Sequence, residues 1–296
     1  MHYFPIQYSE PLFRPPSEGR SLILQVTNGC SWNNCAFCEM YTSKKFKIRK
    51  EKDIFDEIDL MAPYSSQIRK VFLADGNAMV LSFDKLIRII EKLNNTFPNL
   101  NRISIYALPQ DIISKTNGEL KALYEAGLKL VYTGIETGDD ELLKLVNKGE
   151  TSVSTVDGLV KAKQSGLKLS VMILNGLGGK QYSKQHAFNS AKVVNEIKPE
   201  YLSTLVLSFP FGVDHFKNRF LRDFEEMNKY ELISEMGSFI SELELHNTIF
   251  RSDHASNYLV LKGILNRDRD KLLSGIHKVL DNPESINLKP EWMRGL

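Results

Sequence analysis

The chain is poor in cysteine: it has three in 296 residues, all of them between Cys30 and Cys38. No histidine lies between residues 3 and 185. No apolar run approaches the length of a membrane span. Neither sign of charge dominates, since 38 Lys and Arg against 36 Asp and Glu leave +2. Nothing in that balance suggests bulk attraction to nucleic acid or to an anionic membrane. Met1-His2-Tyr3-Phe4-Pro5 lacks a basic segment followed by an apolar one, which predicts no secretory leader. An odd number of clustered thiols argues against a disulfide framework. Thiols that must stay reduced predict a cytoplasmic protein.

What is present is the stretch Cys30-Ser31-Trp32-Asn33-Asn34-Cys35-Ala36-Phe37-Cys38. A cysteine used only as a small apolar residue has no reason to cluster. This spacing gathers soft thiolate donors, which suits zinc or an iron–sulfur cluster.

Residues 1–20 read as an irregular lead-in. Six strand-then-helix units follow over 21–212. The strand runs are Ser21–Thr27, Lys70–Ala74, Arg102–Tyr106, Leu128–Thr133, Leu167–Leu174 and Tyr201–Leu207. Helices are expected over 52–62, 84–96, 111–126, 139–145, 153–164 and 183–197. This alternation predicts parallel strands with right-handed crossovers, an α/β class. A partial (β/α)6 TIM-like barrel and a doubly wound sheet both fit the periodicity. In either, ligands sit at the C-terminal ends of the strands. The cysteine stretch falls at that edge, as do Asp75-Gly76-Asn77, Gly134-Ile135-Glu136-Thr137-Gly138 and Asn175-Gly176-Leu177-Gly178-Gly179. Residues 213–296 read as a mostly helical extension covering the barrel, with one long or broken helix over 223–245 and another over 268–280.

Three thiolates leave a metal site short of one ligand. Structural zinc wants four closed ligands. A plant-type two-iron centre wants a fourth cysteine, which is missing. A four-iron cluster held by three thiolates keeps one iron open.

On these residues the chain resembles the radical S-adenosylmethionine (SAM) enzymes, which carry C-x3-C-x2-C after the first strand of a partial (β/α)6 barrel. The spacing here is C-x4-C-x2-C, one residue longer. Gly134–Gly138 followed by Asn147-Lys148-Gly149 is similar to the Elp3/MiaB/HemN-like branch. The resemblance implies a [4Fe-4S] cluster on Cys30, Cys35 and Cys38, with SAM chelating the open iron. It further implies SAM contacts from Phe37 at the adenine, Asp75-Gly76-Asn77 at the amino group and Glu136 at the ribose. Asn175 and Gly176 would lie along the adenine. Asp75-Gly76-Asn77 departs from the family's Gly-Gly-Glu pattern. The implied activity is reductive cleavage of SAM to a 5′-deoxyadenosyl radical that abstracts hydrogen from a substrate. An electron donor such as a flavodoxin or ferredoxin is implied as partner.

Arg251, His254, Asn257 and Tyr258 stand close together in a polar stretch of the extension and are substrate candidates; a structural polar network is the plainer reading of them. The basic run 44–50 reads as a solvated face, with one of Lys44, Lys45 or Arg49 able to face a carboxylate or phosphate. His186, His215, His246 and His277 read as surface or satisfied core residues. Near-neutral charge favours a small-molecule substrate over RNA. The alternative to an enzyme is a non-catalytic zinc-binding module, or one that senses cluster and SAM without turnover.

Overall fold

Each apolar, β-branched run forms a strand. In the computed structural model, which describes residues 5–294, the elements follow in chain order. Strands β1 (Leu22–Gln25), β2 (Thr27–Asn28) and β3 (Lys47–Ile48) precede helix α1 (Glu51–Leu60). Then come β4 (Lys70–Ala74), α2 (Phe83–Thr96), β5 (Arg102–Tyr106), α3 (Pro109–Ile113) and α4 (Asn117–Glu125). Next are β6 (Leu128–Glu136), α5 (Asp140–Leu145), α6 (Ser152–Gln164), β7 (Lys168–Asn175), α7 (Gly179–Ile197) and β8 (Tyr201–Val206). The extension adds α8 (Val213–Arg219), α9 (Lys229–Ser241), β9 (Thr248–Arg251), β10 (Lys262–Leu265) and α10 (Arg269–Asp281). The first four residues of the expected lead-in and the last two of the expected extension lie outside the described residues.

The chain forms two compact units. The first comprises the described chain up to Asn33, with Cys38–Thr133 and Asp157–Leu169. In it β1, β4, β5 and the start of β6 pair in that order, all parallel. Leu24, Phe72, Leu73, Ile103, Ile105 and Val131 from these strands are wholly buried. Helix α2 packs on α1 and buries Leu86, Ile89, Ile90 and Leu93. That is the i, i+3, i+4, i+7 stripe of an amphipathic helix.

The lead-in is anchored to this unit. Tyr8 donates its hydroxyl to the Ile23 carbonyl at 3.0 Å, and the Ser9 amide donates to Gln25 Oε1 at 2.9 Å. Glu18 is fully buried and accepts hydrogen bonds from Ser21, from the Tyr132 hydroxyl at 2.6 Å and from Arg102 at 2.7 Å. Burial works to raise the Glu18 value. The bonds from Ser21 and Tyr132 and the Arg102 charge outweigh it and hold the carboxyl below its ordinary 4.5. A carboxylate whose native value is depressed stabilises the fold above the unfolded value and loses that contribution as pH falls through the native one. Glu18→Ala is therefore expected to cost about 3 kcal/mol at neutral pH, as for a broken buried pair. The difference from wild type should shrink below about pH 4.5; urea unfolding at several pH values measures it.

The second unit comprises Asn34–Phe37, Gly134–Val156 and the chain from Ser170 on. Strands β7, β8 and β9 run parallel within it, and β10 closes back antiparallel on β9. Helix α9 packs on α7 and α10. An apolar cluster gathers Ala36, Leu142, Leu145, Val146, Leu177 and Phe216.

Three details differ from the sequence-based expectation. The helix expected over 111–126 is two helices, because Thr116 caps α4 in a reciprocal box with Glu119: its Oγ1 accepts the Glu119 amide, and Glu119 Oε2 accepts the Thr116 amide. The helix expected over 223–245 starts only at Lys229, where Asn228 and Glu231 form the same box. The polar stretch of the extension begins as strand β9, so the mostly helical extension also contributes two short strands to the sheet. Among the described residues no helix is long and apolar enough to cross a membrane.

Candidate functional site

In the first unit the turn after β4 is bonded to the start of the thiol stretch. Asp75 is fully buried. Its Oδ2 accepts from the Gly29 amide at 3.1 Å, Gln25 Nε2 at 3.3 Å and Lys44 Nζ at 2.7 Å, and its amide donates to Thr27 Oγ1 at 3.0 Å. Its Oδ1 is buried with no partner among the described residues. The Gly76 amide donates to the Gly29 carbonyl at 3.2 Å. A Cβ on Gly76 would stand 2.5 Å from the Tyr41 ring and 3.0 Å from the Cys30 Cβ, so only glycine lets the turn come this close to Cys30. Asn77 donates to Ser31 Oγ at 2.7 Å and to Asp111 Oδ2 at 2.5 Å. Burial pushes the Asp111 carboxyl above its ordinary value, against the Asn77 bond and the Lys115 charge. Tyr41 lies beside Cys30 and Cys38; burial, then the Asp75 charge, raise its phenol.

The basic run is less solvated than its composition implied. The Lys44 side chain is only 6% exposed in its pair with Asp75, and Arg49 grips Glu57 with two hydrogen bonds at 2.8 and 2.6 Å. Within the longer cysteine gap one residue is fixed by the fold. Asn33 takes a left-handed backbone, φ 47°, and donates its side-chain amide to the Tyr41 carbonyl at 2.9 Å. Asn tolerates that conformation better than most residues.

In the second unit Glu136 ends β6 in the left-handed region, φ 66°, a conformation that costs a non-glycine residue about 1–3 kcal/mol. Its side chain folds back over Gly134, where a Cβ would stand 1.9 Å from Glu136 Oε1. Lys148 Nζ lies 3.3 Å from that oxygen, with both side chains buried, and 5.7 Å from the centre of the Phe37 ring. Burial pushes the Glu136 carboxyl up, and the charge and hydrogen bond of Lys148 pull it back part of the way. Its Oε2 is buried with no partner among the described residues. Phe37, Glu136 and Lys148 are thus one assembly. Lys148 had a sequence signal, the Asn147-Lys148-Gly149 run, but its pairing with Glu136 did not.

Gly176 also sits in the left-handed region, φ 82°. Its amide donates to Glu235 Oε1 at 2.7 Å, a buried carboxylate of α9 with no sequence signal. His186 is a satisfied core residue: its Nδ1 lies 2.8 Å from Thr137 Oγ1, and its Nε2 3.8 Å from Glu235. Burial lowers its value despite the Glu235 and Asp139 charges. Asn175, Asn257 and Tyr258 line one small cavity with Val206, Leu232 and Met236, with room for about one water.

Arg251 and His254, the other two substrate candidates, do not line it. Arg251 is exposed on β9. His254 Nδ1 closes a local turn with the Ser256 amide and hydroxyl. Asn257 donates to the Thr204 carbonyl at 2.8 Å. The Tyr258 hydroxyl donates to Glu291 at 2.6 Å and accepts from Arg294.

Cys30, Cys35 and Cys38 are not joined in disulfides. Among the described residues no three His, Cys, Asp or Glu side chains are gathered as one metal ion requires. A four-iron cluster makes a different demand, because each thiolate binds its own iron. The residues present fit the cluster and SAM. Three soft donors stand in nine residues, and Asp75 in the first unit and Glu136 in the second each keep a buried acceptor oxygen with no partner among the described residues.

Parallel strands with a thiol loop after the first of them define an α/β protein. The chain belongs to the Radical SAM superfamily, whose profile matches residues 24–187. It is 24% identical over 186 residues to the GTP 3′,8-cyclase of Listeria monocytogenes, covering 60% of this chain and 53% of that protein. Coproporphyrinogen III oxidase (HemN) from Escherichia coli, a radical SAM enzyme, superposes with a TM-score of 0.57 at 18% identity, covering 75% of this chain and 52% of that one. Methylornithine synthase (PylB) superposes with a TM-score of 0.52 at 16% identity, covering 91% and 74%. These likenesses show the fold, the α/β architecture of the partial barrel. The chain spans between a third and about half of the length of the curated relatives it matches. The cofactors expected from the sequence, a [4Fe-4S] cluster with SAM, are those of this family.

Proposed function

We propose that this protein is a radical SAM enzyme that cleaves SAM reductively and acts on a small molecule. When bound, a reduced cluster and SAM supply a 5′-deoxyadenosyl radical, which takes a hydrogen atom from the substrate. In this reading Cys30, Cys35 and Cys38 hold the cluster as thiolates. The Asp75-Gly76-Asn77 turn receives the amino group of SAM, Glu136 accepts from its ribose hydroxyls, and Phe37 and the Asn175-Gly176 backbone bound its adenine. The observation that carries the reading is the union of two sequence-distant motifs: Gly76 lies against Cys30, and Asn77 is bonded to Ser31. Lys44 and three further hydrogen bonds hold Asp75 rigid, which pre-orders the turn for a ligand. Glu235 does the same for Gly176 through its amide. Residues 21–212 serve as the core, and 213–296 cover it and exclude water. A flavodoxin or ferredoxin supplies the electron.

The test is anaerobic reconstitution with iron and sulfide, followed by reduction in the presence of SAM. The expected product is 5′-deoxyadenosine with methionine, at a rate proportional to protein. A reconstituted, reducible cluster that yields no 5′-deoxyadenosine would overturn the reading.

A further inference from the structure

The middle of the thiol stretch is held residue by residue within the second unit. Asn147 Nδ2 donates to the Asn34 carbonyl at 3.3 Å. The Ala36 amide donates to the Val146 carbonyl at 2.8 Å. Arg219 Nη2 donates to the Cys35 carbonyl at 2.7 Å, across 184 residues of chain. The peptide joining Cys35 to Ala36 is therefore gripped on both edges, by a carbonyl on one side and a guanidinium on the other.

Arg219 is presented for this role. It closes the last turn of α8, where a cation is favoured by the helix dipole. On either side of it in the chain, Phe216 and Phe220 are buried in the apolar cluster that also holds Ala36 and Phe37. The same packing that anchors α8 anchors the residues around Cys35. The contact is part-buried, so its charge is less screened than a surface cation's.

We propose that Arg219 is a positioning residue for the cluster ligated by Cys35, and that its charge raises the reduction potential of that cluster. The inference rests on the cluster reading above. Hydrogen bonding, burial and net charge around a cluster are the protein's means of setting its potential. Reduction by a low-potential one-electron donor adds one negative charge, and a cation fixed on the ligand's own peptide favours that form. A peptide held on both edges also keeps the Cys35 thiolate aimed, because its backbone cannot rotate.

The test compares reconstituted wild type, Arg219→Lys and Arg219→Gln by potentiometric titration without SAM, following the reduced cluster by electron paramagnetic resonance. In Arg219→Gln the ratio of reduced to oxidised cluster at a fixed potential is expected to fall about tenfold, which for one electron is about 59 mV. Arg219→Lys, which keeps the charge but loses the planar fork, should fall no more than about threefold. Iron content should match wild type in both. Equal potentials in wild type and Arg219→Gln at full iron content would overturn the proposal, as would equal shifts in the Lys and Gln variants. If Arg219→Gln takes up no iron, Arg219→Lys decides: a near-wild-type potential supports the proposal, and a lost cluster or a full tenfold shift overturns it. A wild type that takes up no cluster is a separate result and defeats the cluster reading itself.

Discussion

Cys35→Ala is expected to bring reconstituted iron from about four atoms per chain to near zero, and 5′-deoxyadenosine formation to background. The reason is the ligand count. Three thiolates are the whole cysteine complement of this sequence, so no spare thiol can replace a lost one. The competing explanation for such a result is unfolding, and magnitude separates the two. Cys35 is 9% exposed, and trimming it to alanine removes only a sulfur atom from the packing. That costs about 1 kcal/mol, too little to unfold a chain of typical stability. Circular dichroism of Cys35→Ala should therefore match wild type while its iron is lost. Cys30→Ala and Cys38→Ala should behave the same way. Wild-type iron content in any of the three would mean that thiol is not a ligand.

The second large effect is expected at Glu136. Its carboxylate is buried, folded back over Gly134 and paired with Lys148. Glu136→Gln is expected to weaken SAM binding to the reconstituted protein about 10- to 100-fold, the range for a lost charged hydrogen-bond acceptor; calorimetric titration measures this. Gly134→Ala should do likewise, because its Cβ would occupy the place of Glu136 Oε1.

The pH dependence has a definite sign. Burial raises the Glu136 value, so the carboxyl takes up a proton at a higher pH than an exposed one. SAM affinity should fall as pH drops through that raised value, and Glu136→Gln should lack this fall. Stability moves the other way. A carboxyl whose native value is raised binds its proton more tightly in the fold. Its contribution is complete below the ordinary 4.5 and is lost as pH rises through the native value. Unchanged SAM affinity in Glu136→Gln, with Lys148 still buried, would remove Glu136 from the proposed site.

Much of the architecture was legible because parallel strands buried on both faces are written as short apolar runs. All six runs became strands, and their ends shifted by only a few residues. Two capping boxes, Thr116 with Glu119 and Asn228 with Glu231, set helix starts inside the stretches expected as helix over 111–126 and as one long or broken helix over 223–245. Strands β9 and β10 were not legible, because each carries only two large apolar residues beside polar or glycine positions, Thr-Ile-Phe-Arg and Lys-Gly-Ile-Leu.

The candidate residues divide along the same line. Cys30, Cys35, Cys38, Asp75, Gly76 and Glu136 were visible because each lies just after a strand, in a run whose composition breaks from its surroundings. Lys44 stood in the basic run as one of three residues able to face a carboxylate, and it is the one that meets Asp75. Arg219 and Glu235 were not visible. They reach their partners across 184 and 59 residues, and nothing in the local composition distinguishes them from ordinary surface charges.

The thiol stretch shows both halves of the matter. By itself the sequence determined that three soft ligands stand in nine residues after the first strand, because ligand chemistry and strand periodicity are local properties of a chain. It left the longer gap between Cys30 and Cys35 without a reason. Only the tertiary structure decided that Asn33 turns left-handed there, that Gly76 is small so as to lie against Cys30, and that Arg219 grips the peptide after Cys35. Those are contacts between segments far apart in the chain. Such contacts are chosen by packing, which acts only once the strands have been brought side by side.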